Sequence, residues 1–203
     1  MRTRIMGIAL ATLILIPSAY GDAVFQLGNH PQPDEQNVLF QTDQVGPIID
    51  GFTNRSNTLV QFSSMTDTLM ATAHGQAKVT AADGLINDIT MSVPGHTFLD
   101  AIINPFEPAQ DNDLVITVTM SDGSTFTFGP YGGTHGNNFL TITTINGELI
   151  SSVTIDSASG FDDLRQPRIS GISGITLVPE PSSLVLLGSG FLGLAFTLRR
   201  KML

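Results

Sequence analysis

The sequence predicts an all-β protein, built as an antiparallel two-sheet sandwich of jelly-roll type. Three observations favour this fold class. No helical period is visible between Asp22 and Leu177, apolar residues alternate with Thr and other polar residues in short runs, and Asp-Gly or Asn-Gly pairs separate several of these runs. Because the runs recur at intervals of roughly 8 to 14 residues, they are typical of sandwiches rather than of parallel α/β folds.

The charge of the chain is distributed unevenly. The net charge is −9 over 203 residues, but residues 22–178 contain only four of the nine basic residues and seventeen of the eighteen acidic ones, which gives them a net charge of −13. The two ends are therefore basic and apolar, as targeting segments are. An acidic domain of this kind argues against nucleic acid as a partner. The absence of Cys excludes disulfides and thiolate metal sites.

The N-terminal segment predicts a secretory signal peptide over residues 1–21. Arg2 and Arg4 precede an apolar run at 5–16, and small residues follow it. We expect signal peptidase to cleave after Gly21; cleavage after Ala23 is the less favoured alternative. A helix of twelve apolar residues is about 18 Å long, whereas the hydrocarbon core is about 30 Å thick, so length argues against an uncleaved anchor.

The C-terminal segment, residues 178–203, predicts one transmembrane helix over 182–198. This stretch contains no charge, and the cations behind it act as a stop-transfer signal that keeps the C-terminus in the cytoplasm. The alternative, a buried core helix, should have a polar face, but Ser189 and Thr197 are the only polar residues from Leu184 to Leu198. The prolines before the helix separate it from the domain. The sorting segment contains Pro179, Glu180 and Pro181, and the terminal cations are Arg199, Arg200 and Lys201.

A Pro-Glu-Pro motif, a short apolar helix and a terminal basic cluster, in that order, resemble the bacterial PEP-CTERM sorting signal, which is also called the ice-binding protein C-terminal motif. The resemblance covers about the last 25 residues. It implies a Gram-negative bacterium that exports surface or matrix proteins, and a membrane enzyme, the exosortase, that recognises Pro179, Glu180 and Pro181. It also implies a transient inner-membrane intermediate. Proteins of this kind share the sorting signal and not an activity.

Three hairpins are predicted within the central domain, residues 22–177. Leu114–Met120 and Thr125–Phe128 flank an Asp-Gly turn, and Leu114, Ile116, Val118 and Met120 share one face of their strand. Asn146-Gly147 is expected to join residues 139–145 to 148–155, and Asp83-Gly84 to join 76–82 to 85–93. Further runs raise the total to ten to twelve strands, with a polar loop at 28–37 and no second domain.

The sequence contains no set of residues typical of a catalytic site, so we expect the protein not to be an enzyme. His30, His74, His96 and His135 lack the spacing of a zinc motif. The loop at 129–138 around His135 is Gly-rich, which is more typical of a flexible connection than of a binding site.

Clustered aspartates offer one alternative. Asp111 and Asp113, with Asp156, Asp162 and Asp163, would supply oxygen ligands for calcium if they converge, although their roles as turn formers or strand caps are the favoured explanation. Arg165 and Arg168 are expected to pair locally with Asp162 and Asp163.

These observations predict an exported protein of the cell surface or the exopolysaccharide matrix, without a cofactor. The alternative is a carbohydrate-binding module, and whether it would depend on calcium is left open by the sequence. A secreted hydrolase would require a pair of carboxylates in a cleft.

Overall fold

The computed structural model describes residues 22–73, 77–106, 112–132 and 138–174. These residues form strands, turns and loops, and no helix occurs among them. The described strands are β1 Ala23–Leu27, β2 Gln36–Leu39, β3 Gln44–Gly46, β4 Ile48–Thr53, β5 Leu59–Ser63, β6 Leu69–Ala71, β7 Lys78–Ala81, β8 Ile86–Ser92, β9 His96–Thr97, β10 Asp100–Phe106, β11 Leu114–Met120, β12 Thr125–Tyr131, β13 Leu140–Thr144, β14 Ile150–Phe161, β15 Asp163–Ser170 and β16 Ser173–Gly174.

Fourteen of these strands belong to one hydrogen-bonded sheet in which every pairing is antiparallel. The main path runs β1-β13-β10-β15-β2-β4-β5-β8-β14-β11-β12, and β7, β6 and β3 branch from β15. Strand β2 connects the two halves of the path, because Asn37 pairs with Arg168 of β15 and Val38 pairs with Thr53 of β4. The remaining two strands, β9 and β16, form a separate short ribbon.

The sheet curves into a nearly closed barrel. Its two end strands, β1 and β12, approach each other through the stacked rings of Phe25 and Phe128, whose centroids are 5.3 Å apart. Alternate side chains point inward: Leu114, Ile116, Val118 and Met120 of β11 are buried, as the period-two pattern predicts. The largest fully buried side chains include Phe62, Phe98 and Phe161.

The structure confirms an all-β antiparallel domain. The division into two sheets of jelly-roll type is not confirmed and stays a prediction. Strand β2 pairs with strands of both halves, so the described strands form one continuous sheet. Sixteen strands are described where ten to twelve were expected, mainly because two-residue and three-residue strands such as β3, β9 and β16 leave no periodic signal. The predicted signal helix at 1–21 and transmembrane helix at 182–198 lie outside the described residues.

Of the three predicted hairpins, one is confirmed. Strands β11 and β12 pair across the Asp122-Gly123 turn, in which the backbone amide of Ser124 donates to the Asp122 carboxylate at 2.8 Å. The other two hairpins were wrong. Strand β13 pairs with β1 and β10 whereas β14 pairs with β8 and β11, so the Asn146-Gly147 turn joins strands that are not neighbours.

The Asp83-Gly84 turn behaves in the same way. Strand β7 pairs with β6 and β15, but β8 pairs with β5 and β14. Asn146, Gly147 and Gly84 do have the positive φ angles, 59°, 77° and 103°, that the turn sequences indicate. A turn sequence determines these local angles, and it does not determine which strand the departing chain pairs with.

Candidate functional site

An open pocket of about 410 Å³ lies where β8, β11 and β14 run side by side. Asp88 of β8 is directly opposite Asp156 of β14, and Val115 of β11 is opposite Asp156 on its other side. Asp113 is two residues before Val115, so it is on the same face of the sheet. The pocket is lined by Thr66, Asn87, Asp88, Asp113, Val115, Asp156, Ser157 and Ala158.

Asp88 holds the loop between β5 and β6 in place. Its Oδ1 accepts hydrogen bonds from the Ser64 hydroxyl at 2.8 Å, the Thr66 amide at 2.9 Å and the Thr66 hydroxyl, and its Oδ2 accepts from the Met65 amide at 2.9 Å. Burial acts to raise the pKa of this carboxyl, but these four hydrogen bonds outweigh it and hold the pKa below its usual value of 3.8. Asp88 is therefore ionised at neutral pH.

Asp67 completes this loop from within the protein. Its buried carboxylate accepts hydrogen bonds from the backbone amide of Asn87 at 2.8 Å and from the hydroxyls of Ser64 and Thr66 at 3.3 and 3.0 Å. The loop and the start of β8 therefore share two aspartates, and this fixes the position of Thr66 and Asn87 at the rim of the pocket.

Asp113 is fixed from the opposite wall. Its Oδ1 accepts a hydrogen bond from the Ser157 hydroxyl at 2.7 Å, and its Oδ2 accepts from the amide and the hydroxyl of Ser159 at 2.7 and 2.9 Å. These bonds occur where the pairing between β8 and β14 shifts register after Asp156. The carboxylate thus stabilises an irregular stretch of β14.

Asp156 differs from the other two aspartates. Its side chain is solvent-exposed, and no hydrogen bond to its carboxylate is found within the described part of the chain. Partial burial and the negative charge of Asp88 raise its pKa above 3.8. Like charges directly opposite each other on a sheet are destabilising, so this pair costs folding energy.

The pocket can therefore accept hydrogen bonds from a polar ligand through Asp156, and Asn87 and Thr66 offer an amide and a hydroxyl nearby. Two neighbouring carboxylates with opposite pKa shifts are also the general pattern of an acid and a base. Across the ranges that the structure describes, no three His, Asp or Glu side chains are positioned to hold a metal ion.

The structure brings together two of the five aspartates that the sequence singled out. Asp113 and Asp156 both line the pocket, but Asp162 and Asp163 do not. Asp163 is buried, with 2% of its side chain exposed, between the Lys78 ammonium at 2.9 Å and the guanidinium of Arg165. Both oxygens of the Asp163 carboxylate therefore already contact a cation. Asp111 lies outside the described residues.

Asp88 is the charged pocket residue that the sequence did not predict, and the uncharged lining residues, among them Thr66 and Asn87, were not predicted either. It stands in the middle of the strand Ile86–Ser92, at a position that alternation assigns to the outer face. Asp is depleted in strand interiors, so an aspartate in the middle of a Thr- and Ile-rich run was a signal that could have been used. Many other aspartates of this chain are in turn-like sequences, and Asp88 did not stand out among them.

The four basic side chains of the described residues are all paired with carboxylates. Arg55 is 3.2 Å from Asp34, and Lys78 and Arg165 contact Asp163. Local pairing is thus confirmed for Arg165. It was wrong for Arg168, which instead contacts the Glu35 carboxylate at 2.7 Å in the loop that precedes β2. Side chains that alternate along β15 point in different directions, which sequence proximity alone does not reveal.

Neither of the two described histidines, His30 and His96, lines the pocket. The ring of His30 is 3.0 Å from the Leu27 carbonyl in the loop after β1, and His96 is in the short strand β9. His74 and His135, with the Gly-rich centre of the 129–138 loop, lie outside the described residues.

Comparison with known families gives one result. The family model described as the PEP-CTERM protein-sorting motif matches residues 177–201. The chain carries a PEP-CTERM sorting motif. This motif implies an exported protein that an exosortase processes by way of a membrane-anchored intermediate. No curated protein and no solved structure matches the chain.

The PEP-CTERM match covers both parts of the predicted tail, from Pro179-Glu180-Pro181 to Arg199-Arg200-Lys201. These residues, and the expected cleavage site at Gly21, lie outside the described residues. Within the described ranges there is no helix of the length and hydropathy needed to cross a membrane.

Proposed function

We propose that the protein is exported across the inner membrane of a Gram-negative bacterium, anchored there by residues 182–198, and released to the cell surface or the exopolysaccharide matrix when an exosortase cleaves it. Its β domain is a non-enzymatic cargo. The observation that carries this proposal is the match to the PEP-CTERM motif at residues 177–201. The order of apolar segment and terminal cations supports the anchored intermediate.

Substitution Glu180→Ala tests the processing step in a host that expresses an exosortase. The variant is expected to accumulate at its uncleaved length in the inner-membrane fraction, because the enzyme recognises the Pro-Glu-Pro segment. Glu107→Ala, which removes a glutamate outside the tail, is the matched control and should be processed normally. Release of the Glu180 variant at the wild-type rate would contradict the proposal.

Mass spectrometry of the exported protein tests the signal peptide. We expect the mature chain to begin at Asp22. A chain that begins at Val24 would instead establish the alternative cleavage after Ala23, and a chain that retains Met1 would refute cleavage.

A second candidate function rests on the pocket. We propose that it binds a polysaccharide, because the Asp156 carboxylate presents acceptors that suit sugar hydroxyls. The Asn87 side chain adds a carbonyl oxygen and the second N–H of an amide whose first N–H is donated to the Ser157 carbonyl, and the Thr66 hydroxyl, which donates to Asp88, can still accept. We favour binding over hydrolysis. Asp88, which would have to act as the second carboxylate, already accepts four hydrogen bonds from the β5–β6 loop.

A glycan array tests this candidate with the wild-type protein, Asp156→Asn and the control Asp162→Asn, each with and without EDTA. Binding by wild type and Asp162→Asn but not by Asp156→Asn is expected. Loss of wild-type binding in EDTA would add calcium as a bridging ion. No binding to any glycan in either condition would refute the candidate and leave the export proposal intact.

A further inference from the structure

One outer face of the sheet carries hydroxyl groups in two neighbouring rows. On β8, β14, β11 and β12, the side chains that alternate with the inward-pointing ones face outward. The first row crosses these four strands through directly paired residues, which are Thr90, Thr154, Thr117 and Thr127. The second row is two positions along each strand and consists of Ser92, Ser152, Thr119 and Thr125. We call these eight residues the hydroxyl face.

The hydroxyl face is regular and open to solvent. Neighbouring strands are about 4.8 Å apart, and every second residue of a strand is about 6.7 Å further along it, so the groups repeat in two directions. Thr125 and Thr127 are exposed, and the other six residues are half-buried. The hydroxyls of Thr90 and Thr154 share a hydrogen bond of 2.9 Å. Among the described residues the other six hydroxyls have no hydrogen-bond partner, so each can donate one hydrogen bond and accept two.

The hydroxyl face carries no charge, although residues 22–178 around it have a net charge of −13. Carboxylates lie at its borders: Asp88 and Asp156 are two positions beyond Thr90 and Thr154, and Asp122 is in the turn between β11 and β12. The four basic side chains of the described residues pair with carboxylates elsewhere. Nucleic acid and anionic lipid both require accessible cations, so neither suits this face, and its acidic border repels any other anionic chain.

A protein partner suits the hydroxyl face no better. The centres of protein interfaces are rich in aromatic side chains and poor in Ser, whereas this face consists of Thr and Ser, whose only apolar groups are methyls. A second copy of the chain would also bring a second acidic domain with the same net charge of −13. Face-to-face association would therefore bury little apolar area while adding repulsion between like charges.

We infer that the hydroxyl face binds a long, uncharged polysaccharide chain; this rests on the second candidate function, which supplies the class of ligand. A polysaccharide repeats its hydroxyl groups along its length, so it forms the same hydrogen bonds, direct or through water, at successive positions of a regular array. The first row of the face directly adjoins Asp88, Asp156 and Val115 of the pocket. A chain held in the pocket therefore continues onto the hydroxyl face.

The length of the polysaccharide should determine how tightly it binds. A hydrogen bond to an exposed hydroxyl adds little by itself, because it replaces a hydrogen bond to water, whereas many such contacts on one chain add up. The pocket, with a volume of about 410 Å³, encloses only a short segment of a polysaccharide. Binding confined to the pocket would thus be complete with a short oligosaccharide, and binding to the hydroxyl face grows with chain length.

Affinity electrophoresis of the full-length chain in detergent tests this dependence. The probes are dextran, mannan and galactan, each as long chains and as oligosaccharides at equal sugar concentration, with anionic alginate for comparison. We expect at least one uncharged polysaccharide to retard the protein more strongly than its oligosaccharides do, and alginate to have no effect.

Variants of two central hydroxyls test the face itself. Thr117→Val with Thr119→Val keeps the branched shape of both side chains and should weaken long-chain binding about tenfold. Thr117→Ser with Thr119→Ser keeps the hydroxyls and should retain binding. The matched control, Thr80→Val with Thr143→Val, changes two half-buried threonines of β7 and β13 and should bind like wild type. Circular dichroism establishes that each variant is folded.

The outcomes separate the hydroxyl face from the pocket. Equal binding of long and short chains, or undiminished binding by the folded valine variant, would overturn the role of the face and leave the pocket as the binding site. Loss of long-chain binding in the valine variant, with binding retained by Asp156→Asn, would support the face and refute the pocket. A wild-type protein that binds none of the polysaccharides would refute polysaccharide as the ligand of either. A wild-type dimer that the valine variant dissociates, measured by light scattering, would identify a second copy as the occupant and overturn the inference.

Discussion

Replacement of Asp156 with asparagine is expected to stabilise the protein at neutral pH. The Asp156 carboxylate is directly opposite that of Asp88, receives no hydrogen bond from the described residues, and has a pKa raised by burial and by the charge of Asp88. Asparagine keeps the shape of the side chain and removes one of the two facing charges. Most substitutions of single residues destabilise proteins, so an increase in stability would be a specific outcome.

The magnitude follows from the register of the strands. Directly opposite residues on antiparallel strands have Cβ atoms about 5 Å apart, and two unit charges at that distance repel by about 0.8 kcal/mol in water. We use the value for water because Asp156 is exposed. For a domain of this size, 1 kcal/mol shifts the melting temperature by about 2–4 °C, so Asp156→Asn should raise it by about 2–3 °C.

The pH dependence has a defined sign. Because the folded-state pKa of Asp156 is raised, the native protein binds this proton more tightly than the unfolded chain does, and stability falls as pH rises from 3.8 through the raised pKa. Asp88 has a lowered pKa, so its stabilisation is present above 3.8 and is lost as pH falls through its folded-state pKa. The gain from Asp156→Asn should thus be complete at pH 7 and vanish below pH 3.8.

Thermal unfolding followed by circular dichroism, at pH 7 and at acidic pH, measures this gain. Asp83→Asn, in the exposed turn before β8, is the control for the removal of one charge from an acidic protein. In 1 M salt the Debye length is about 3 Å, so most of the gain should disappear. A lower melting temperature for Asp156→Asn at pH 7, or an equal gain for Asp83→Asn, would refute the reasoning.

Three further predictions concern residues away from the pocket. Asp163→Asn should cost about 1–3 kcal/mol, because it removes the charged hydrogen bonds that Lys78 and Arg165 make to a buried carboxylate. Urea unfolding should show no comparable loss for the neighbouring Asp162→Asn. Gly51→Ala should lower the free energy of unfolding by about 1–3 kcal/mol, since the added Cβ would be 2.6 Å from Val38 Cγ1. In a chain that also carries Val38→Ala, Gly51→Ala should cost less, and an unchanged cost would contradict the clash. Glu148→Gln should lower the melting temperature of the mature protein, because signal cleavage after residue 21 turns the Asp22 backbone amide, which Glu148 binds, into a charged amine. In an N-terminally acetylated chain Glu148→Gln should not lower the melting temperature, and an equal decrease in both forms would contradict the role of this charge.

How far the sequence predicts this fold depends on the distance over which each feature acts. The alternation along β11 and the Asp-Gly turn after it are local, and both are confirmed. Strand neighbours are not local: residues 145–149 form a turn of the expected conformation but carry the chain from β13 to a strand on the other side of the barrel. The pairing of β2 with both β15 and β4 likewise depends on contacts between residues far apart in the sequence.

The same distinction explains the site. Asp113 and Asp156 were singled out only as members of oxygen-rich segments, and they meet because β11 and β14 pair. Nothing in the sequence connects Asp88 to them, since the pairing of β8 with β14 brings together residues 68 positions apart. The sorting motif, in contrast, is one continuous segment at residues 177–201, so its recognition in the sequence does not depend on knowing which strands pair.

The arrangement of charges gives the pocket its strongest claim to a function. The cations of the described residues pair with Asp34, Asp163 and Glu35, and none pairs with the facing carboxylates of Asp88 and Asp156. Native proteins are stable by only about 5–15 kcal/mol, so a repulsion of about 0.8 kcal/mol is a measurable loss of stability. Asparagine at position 156 would remove this repulsion. If Asp156→Asn both stabilises the protein and abolishes glycan binding, that cost is the consequence of a carboxylate needed by the ligand. If it stabilises the protein and glycan binding is retained, the carboxylate has no role in recognition.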